Sequence, residues 1–297
     1  MPIRLVLLLS MVTFVSMKGS RVAAALFAIE LGAGPFATGL IFALYGLGSF
    51  LLAVYAGRIA DRVGSRLLMY WGLGGFTASL VLPSVLPSLP VLFTAAALWG
   101  ITSMIFVVAT QNLIGLLSTK SNRTRNFSLY SLGESTAAVA GPVLVGASID
   151  GLGYPATFLL LALITAGCCA LLAARRHGIP DATPSAPASG TRASRDLLGL
   201  PPLRNALITN GIVMTGLDLF NIYMPVYGRG IELDATTIGF IMGAFGVAAF
   251  VVRLLIPLIT SHWGERAMLA AALGASAAAF VVFPLTTSPV WLALAAF

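Results

Sequence analysis

Long apolar runs separated by short polar segments dominate this chain. A bilayer core takes about 20 apolar residues in a helix, and nine runs meet that length. They cover residues 5–30, 37–57, 67–86, 90–118, 127–149, 154–174, 205–227, 236–258 and 267–286, and a tenth begins near Val290. A helix satisfies its backbone hydrogen bonds internally, as lipid requires. The pattern therefore predicts an all-α polytopic membrane protein.

The composition agrees with burial in lipid. Hydrophobic residues make up 58% of the chain and charged residues 9%, against about 25% charged residues in a soluble domain. The net charge of +7 does not indicate nucleic acid binding, because the basic residues lie in short loops and not on one folded face. Trp71, Trp99 and Trp263 are predicted to anchor helix ends at the membrane interface.

The basic residues predict the orientation of the chain. Thirteen of the 17 lysines and arginines fall on one side if the helices alternate in direction. These are Arg4, Arg58, Arg62, Arg66, Lys120, Arg123, Arg125, Arg175, Arg176, Arg192, Arg195, Arg204 and Arg266. Cytoplasmic loops carry the excess of positive charge, so we expect a multi-pass protein of the cell (inner) membrane with a cytoplasmic N-terminus.

One segment interrupts the apolar rhythm after the sixth run. Residues 175–204 hold five prolines together with many alanines, serines and charges, a composition that cannot bury a core. We interpret this segment as a cytoplasmic linker. It separates a six-helix half, residues 1–174, from a second and partial half, residues 205–297.

The two halves share a sequence register. A shift of 200 residues aligns residues 36–50 with 236–250, and the same register continues without a gap to residues 97 and 297. Matched positions include Gly39 with Gly239, Gly46 with Gly246, and Arg66 with Arg266. Parallel repeats of this kind are typical of transporters that bind substrate between their halves.

The segment between the second and third runs allows a family resemblance to be named. Gly57-Arg58-Ile59-Ala60-Asp61-Arg62-Val63-Gly64-Ser65-Arg66 resembles the signature of the major facilitator superfamily, with Ser65 where the family often has a basic residue. The resemblance implies that fold, with six helices in the first half and helices 7–9 and the start of helix 10 in the second. It also implies a gating role for Gly57, Asp61, Arg62, Gly64 and Arg66, with Asp61 at the N-terminus of helix 11.

The repeat also predicts that the sequence is incomplete. Phe297 corresponds to Ala97, after which the first half continues through two further helices. We therefore expect most of helix 10 and all of helices 11 and 12 to be absent from this sequence, and a chain without them to be inactive.

Charges within the membrane are costly and usually face a partner or a cavity. Lys18 and Arg21 lie one helical turn apart in the first run, and the repeat places Asp218 opposite them in the seventh. The alternative to a substrate site is an ion pair of Lys18 or Arg21 with Asp218 that only joins the halves. The full set expected to line a substrate cavity is Ser10, Lys18, Arg21, Asn210, Asp218 and Asn221.

A second pair of charges suggests coupling. Glu134 and Arg253 lie at similar depth in the fifth and eighth runs, and we expect a gating ion pair that forms in one conformation only. Either Glu134 or Asp218 is a candidate to carry a coupling proton.

These observations predict a secondary transporter that moves a small anionic or zwitterionic organic solute by alternating access, coupled to protons. Two alternatives remain open: a multidrug or toxic-compound efflux antiporter, and a non-transporting membrane sensor or scaffold. The antiporter is suggested by Ala137, Gly141, Pro142 and Gly146 in the fifth run, which partly match the glycine–proline signature of family exporters. Ser128 and Val145 depart from that signature.

An enzyme is not expected. His177 and His262 lie in loops without cysteine or carboxylate at ligand spacing, so we expect no metal site, no catalytic residues and no cofactor. The expected partners are a small-molecule substrate, protons and the lipid bilayer, without nucleic acid, and the expected state is a monomer.

Overall fold

The computed structural model describes the backbone of residues 2–175, 201–263 and 265–297. Within these ranges, the side chains of residues 2, 52–58, 60–62, 201–202, 206 and 253–269 lie outside the description. The described helices are α1 (Pro2–Glu30), α2 (Pro35–Val63), α3 (Ser65–Val85), α4 (Leu89–Leu117), α5 (Arg123–Leu152), α6 (Tyr154–Ala174), α7 (Pro201–Gly230), α8 (Ala235–Trp263), α9 (Glu265–Val282) and α10 (Pro289–Ala296). A short 3₁₀ helix, Phe283–Leu285, follows α9.

Each predicted apolar run coincides with a helix, apart from a few residues at its ends, and the chain is an all-α polytopic membrane protein. Within the described residues, seven helices are long and apolar enough to cross a bilayer, and the segments Pro35–Leu51 and Ala270–Leu285 are shorter apolar helices. Several helices extend beyond their apolar runs; α7, for example, begins at Pro201, inside the predicted linker. The rest of that linker, residues 176–200, lies outside the described residues.

The 200-residue register recurs in the local structure. Helices α2 and α8 cover residues 35–63 and 235–263, and α1 and α7 end at residues 30 and 230. The turns that follow are closed by the same hydrogen bonds, since the amides of Ala33 and Leu233 both donate to the carbonyl five residues earlier at 2.9 Å. Gly32 and Glu232 both adopt positive φ, 80° and 62°. A non-glycine residue rarely adopts this conformation, so the turn geometry has been kept although its glycine has not.

The signature segment is mostly helical. Residues 57–63 form the last two turns of α2, and α3 begins at Ser65. Only Gly64 separates them, with φ of 90°, a conformation that favours glycine. This glycine therefore makes the sharp reversal between α2 and α3.

Helix α1 occupies the centre of the first half and packs against α4, α5 and α6. The core beside it includes aromatic pairs such as Phe14 with Tyr130, whose ring centroids lie 5.3 Å apart. Trp99 is fully buried in the middle of α4 and stacks on Phe158, so its predicted role as an interfacial anchor is wrong. Trp71 is 56% exposed, and the side chain of Trp263 lies outside the description.

Helices α5 and α8 form the main contact between the halves. A Cβ atom on Gly239 would lie 2.5 Å from the carbonyl oxygen of Pro142, and one on Gly246 would lie 2.8 Å from the backbone of Ala138. Small residues allow membrane helices to approach closely. The contact between α5 and α8 is therefore backbone against backbone along several turns.

Candidate functional site

The close approach of α1 and α5 brings the first pair of charges together. A Cβ atom on Gly141 would lie 2.8 Å from the carbonyl oxygen of Val15 and 2.9 Å from the amide nitrogen of Gly19. At this short separation Lys18 Nζ lies 3.5 Å from Glu134 Oε1, with the two side chains 37% and 41% exposed. Both helices belong to the first half, so this ion pair does not cross between halves.

A second ion pair joins the halves. Arg21 Nη1, on α1, donates to Asp218 Oδ1, on α7, at 3.4 Å. The guanidinium carbon of Arg21 also lies 4.1 Å from the ring centroid of Tyr45, on α2. A guanidinium group over an aromatic face is stabilised by the charge distribution of the ring. Arg21 is therefore held by two partners, a carboxylate on α7 and a ring on α2.

Three of these four charges, Lys18, Arg21 and Glu134, line a cavity of about 170 Å³. Its polar lining consists of Lys18, Arg21, Tyr45, Ser49, Ser103 and Glu134. A wider cleft of about 420 Å³ lies between α1, α2 and α7 and is lined by Arg21, Phe42, Asp218 and Ile222 among others. Arg21 therefore lies at the junction of both spaces.

The remaining predicted cavity residues take other positions. Ser10 is buried and donates to the carbonyl of Val6 at 2.6 Å. Asn221 donates to the carbonyl of Leu217 at 2.8 Å within its own helix, and Asn210 is exposed on α7. None of the three lines the described cavity or the wider cleft.

The predicted gating residues are only partly described. Glu134 contacts Lys18, whereas the side chain of Arg253, its predicted partner, lies outside the described residues. The side chains of Asp61 and Arg62, and Gly57 with them, also fall outside the description. Gly64 is buried at the turn before α3, and Arg66 is half-buried in the first turn of that helix.

Three polar residues that line the 170 Å³ cavity are not among the sequence predictions: Tyr45, Ser49 and Ser103. Ser49 donates to the carbonyls of Tyr45 and Gly100, at 3.2 and 3.0 Å. A serine in a membrane helix more often serves helix packing, and only the one-turn spacing of Tyr45 and Ser49 could have indicated a shared face. Over the described residues there is no cluster of three or more histidine, cysteine or acidic side chains suited to a metal ion.

The glycine–proline pattern of α5 takes part in packing in two directions. Gly141 contacts α1, as described for the first ion pair, while Pro142 and Gly146 lie against Gly239 and Ala235 of α8. These residues set the distance from α5 to both neighbours.

Known proteins resemble this chain in sequence and in fold. The uncharacterized MFS-type transporter YwfA of Bacillus subtilis (strain 168) is 31% identical over 133 residues, which are 44% of this chain and 32% of YwfA. The class C tetracycline resistance protein of Escherichia coli is 26% identical over 268 residues, 84% of this chain and 64% of that protein. The chain thus spans less than two thirds of the length of these relatives.

Solved transporter structures share the fold. The nucleoside transporter NupG matches with a TM-score of 0.79 at 14% identity over 99% of this chain and 78% of its own. A bacterial homologue of the human lysosomal transporter Spinster, in an inward-facing and unoccupied conformation, matches with a TM-score of 0.80 at 13% identity over 99% and 71% of the two chains.

The family model of the Major Facilitator Superfamily matches residues 6–297. This match, which agrees with the repeat of helix bounds, establishes that the chain belongs to the Major Facilitator Superfamily of membrane transporters.

Proposed function

We propose that the protein is a secondary transporter that moves a small anionic or zwitterionic organic solute across the cell (inner) membrane by alternating access. The observation that carries the proposal is the ion pair of Arg21 and Asp218, which joins the two halves beside the cavity. When the halves separate at this level, the pair breaks and both charges need new partners. A solute with complementary charge supplies them, and this links binding to the conformational change.

The charges of the site are balanced, which supports coupling to protons. Lys18 and Arg21 face Glu134 and Asp218, two cations against two carboxylates. An anion that binds Lys18 competes with Glu134, and a proton on Glu134 removes that competition. We assign the coupling proton to Glu134 because its partner, Lys18, lies in the same half, so that the pair can form in every conformation. The pair of Asp218 with Arg21, in contrast, forms only when the halves are close together at this level.

Uptake into proteoliposomes tests this proposal. The full-length protein is reconstituted and offered a panel of anionic metabolites, zwitterions and cationic dyes, with and without an inward proton gradient. We expect accumulation of one of the first two classes, driven by the gradient. Glu134→Gln is expected to abolish accumulation while retaining exchange of solute down its own gradient. Uptake at the same rate with and without the proton gradient would contradict the coupling. Selective uptake of the dyes would contradict the proposed substrate class.

A second candidate is drug efflux, and the apolar part of the cavity favours it. Phe14, Met17, Met104 and Val107 complete the lining, and methionine adapts to ligands of different shape. One of the relatives named above is a tetracycline resistance protein. Protection of cells against tetracycline or cationic dyes by the full-length protein, with proton-driven export from everted vesicles, distinguishes this candidate.

A further inference from the structure

The two halves also meet through polar contacts at one end of the bundle, away from the cavity. Asp150, near the C-terminal end of α5, accepts hydrogen bonds from two backbone amides of α8: Ala235 N to Oδ1 at 3.2 Å and Thr236 N to Oδ2 at 2.7 Å. Asp150 lies in the first half and α8 in the second. The carboxylate of Asp150 thus joins the two halves through hydrogen bonds to both of its oxygens.

These two bonds complete the hydrogen bonding of the first turn of α8. The first amides of a helix have no partner within it. Asp234, just before α8, accepts from the amide of Thr237 at 2.9 Å, and its carbonyl accepts from Ile238 at 3.1 Å. The amides of Ala235 and Thr236 remain, and the other half of the protein supplies their acceptor. A negative charge is also favourable at this positive end of the helix dipole.

Two carboxylates therefore accept hydrogen bonds from the first turn of α8, one from the same half and one from the other half. The hydrogen bonds from the Thr237 side chain and amide lower the pKa of Asp234, which caps its own helix. Asp150 binds the same turn from across the interface. Substitution of each carboxylate in turn therefore distinguishes the capping of α8 from the attachment of one half to the other.

Further contacts at the same end join the halves. Arg229 Nη2, at the end of α7, donates to the hydroxyl of Tyr154, at the start of α6, at 2.7 Å. Gly146 leaves room for the carbonyl of Ala235, against which a Cβ atom would clash. Asp150, Tyr154, Arg229 and the amides of Ala235 and Thr236 together form an inter-half latch.

The described polar contacts at this end lie beside a buried part of α7. Phe220 and Met224, toward the latch, are buried, whereas the described side chains from Leu203 to Leu219 are mostly exposed. The two halves are therefore closed at the latch end.

We infer that Asp150 is a gating residue, which holds the transporter closed on the latch side and must release the amides of α8 before that side opens. Gating by Asp150 rests on the proposed alternating access and is independent of which solute is moved. In the open state the two amides face water, so the carboxylate of Asp150 stabilises the closed state alone. Its removal takes that stabilisation away and shifts the equilibrium toward opening.

Distance measurement between spin labels tests the inference without a substrate. Labels are placed on Leu152→Cys and Leu285→Cys, two exposed positions at the latch end in different halves. The background is a full-length protein in which every native cysteine, Cys168 and Cys169 included, is replaced by alanine. In this background we expect one short distance. Adding Asp150→Ala should produce a second, longer distance, with the open population increased roughly tenfold, the effect of one charge-assisted hydrogen bond.

Asp234→Ala is the matched control, because it removes a carboxylate from the same helix start within one half. Glu30→Gln, at the same end of α1, controls for a general change in charge. Both should keep the short distance, while size-exclusion profiles and helical circular dichroism show that all variants fold. An unchanged distance in Asp150→Ala, or an equal change in Asp234→Ala, would overturn the inference. Because the measured quantity is a distance between labels, the result tests the gating role of Asp150 independently of any transport assay.

Discussion

Arg21 shows how one residue connects the parts of the site. It contacts Tyr45 on α2 and Asp218 on α7, and it borders both the cavity and the wider cleft. The sequence indicated Lys18, Arg21 and Asp218 as functional because charges are rare in hydrocarbon. It left open which of Lys18 and Arg21 pairs with Asp218, since the rotation and separation of the helices decide which side chains meet.

The stacking of Arg21 on Tyr45 leads to the first prediction. Arg21→Lys keeps the charge but loses the planar group that stacks on the ring. We expect uptake of the solute found in the proteoliposome panel to fall about tenfold or more. The stacking contact is worth on the order of 1–2 kcal/mol, and a loss of about 1.4 kcal/mol corresponds to a factor of ten. Tyr45→Leu should give a similar loss. Tyr45→Phe keeps the ring and should retain most of the activity; a loss as large as that of Tyr45→Leu would contradict the stacking role.

The second prediction concerns Lys18 and Glu134. Lys18→Glu places two carboxylates in one site and should lower the thermal stability of the purified protein, because like charges repel in a poorly hydrated environment. Adding Glu134→Lys restores the pair in reverse, and stability should recover. Uptake should not recover, because the cation and the proton acceptor have exchanged places. Full transport by the double variant would reduce the pair to a structural role.

Helix contacts rather than side-chain chemistry dominate at the level of elements. The apolar runs predicted the helices well, because a helix that crosses lipid must be long, apolar and internally hydrogen-bonded. The bounds of α7 were less predictable, since the proline- and charge-rich composition before it resembles a linker while its prolines at 201 and 202 suit a first helical turn. The directions in which α5 packs followed only from the structure, because a glycine is compatible with any neighbour.

The third prediction concerns the contact of α5 with α8. A Cβ atom on Gly246 would lie 2.8 Å from the backbone of Ala138 and Val139, and backbone atoms cannot move aside as a side-chain tip can. Gly246→Ala should therefore separate the helices and destabilise the protein by about 1–3 kcal/mol, the usual cost of overpacking. Thermal unfolding in detergent, followed by circular dichroism, measures the loss.

Gly167 provides the control for this substitution. It lies on an exposed face of α6, and among the described residues no heavy atom comes within 4 Å of the place that a Cβ atom would take. Gly167→Ala should leave the midpoint of unfolding unchanged or slightly raised, because alanine favours helix over glycine. Equal effects of the two substitutions would mean that loss of glycine, and not the helix contact, matters.

For the whole molecule, the repeat and the orientation belong together. Two halves in parallel register place the turns after α1 and α7 on one side and the linker on the other. The basic residues predict that the linker side is cytoplasmic, which makes the closed latch end the outer one. We expect the described conformation to face inward.

The fourth prediction tests this orientation. With every native cysteine replaced by alanine, a cysteine at Leu285, beside the latch, should react with a membrane-impermeant maleimide in intact cells. A cysteine at Ser189, in the linker, should react only after the membrane is opened. Labelling of the linker position in intact cells would reverse the topology, and with it the assignment of the latch to the outer side.

The order of amino acids was enough to predict the membrane class, the helices, the 200-residue repeat and the charges at the cavity. Each of these depends on the chain's local fit to lipid, where length, polarity and backbone satisfaction act along one helix at a time. The packed helices were needed to show that Lys18 pairs with Glu134, that Arg21 reaches Asp218, and that Asp150 binds the start of α8. Those contacts depend on how closely the helices approach and how they are rotated about their axes. The glycines between neighbouring helices determine both, and the sequence of a single helix does not contain this information.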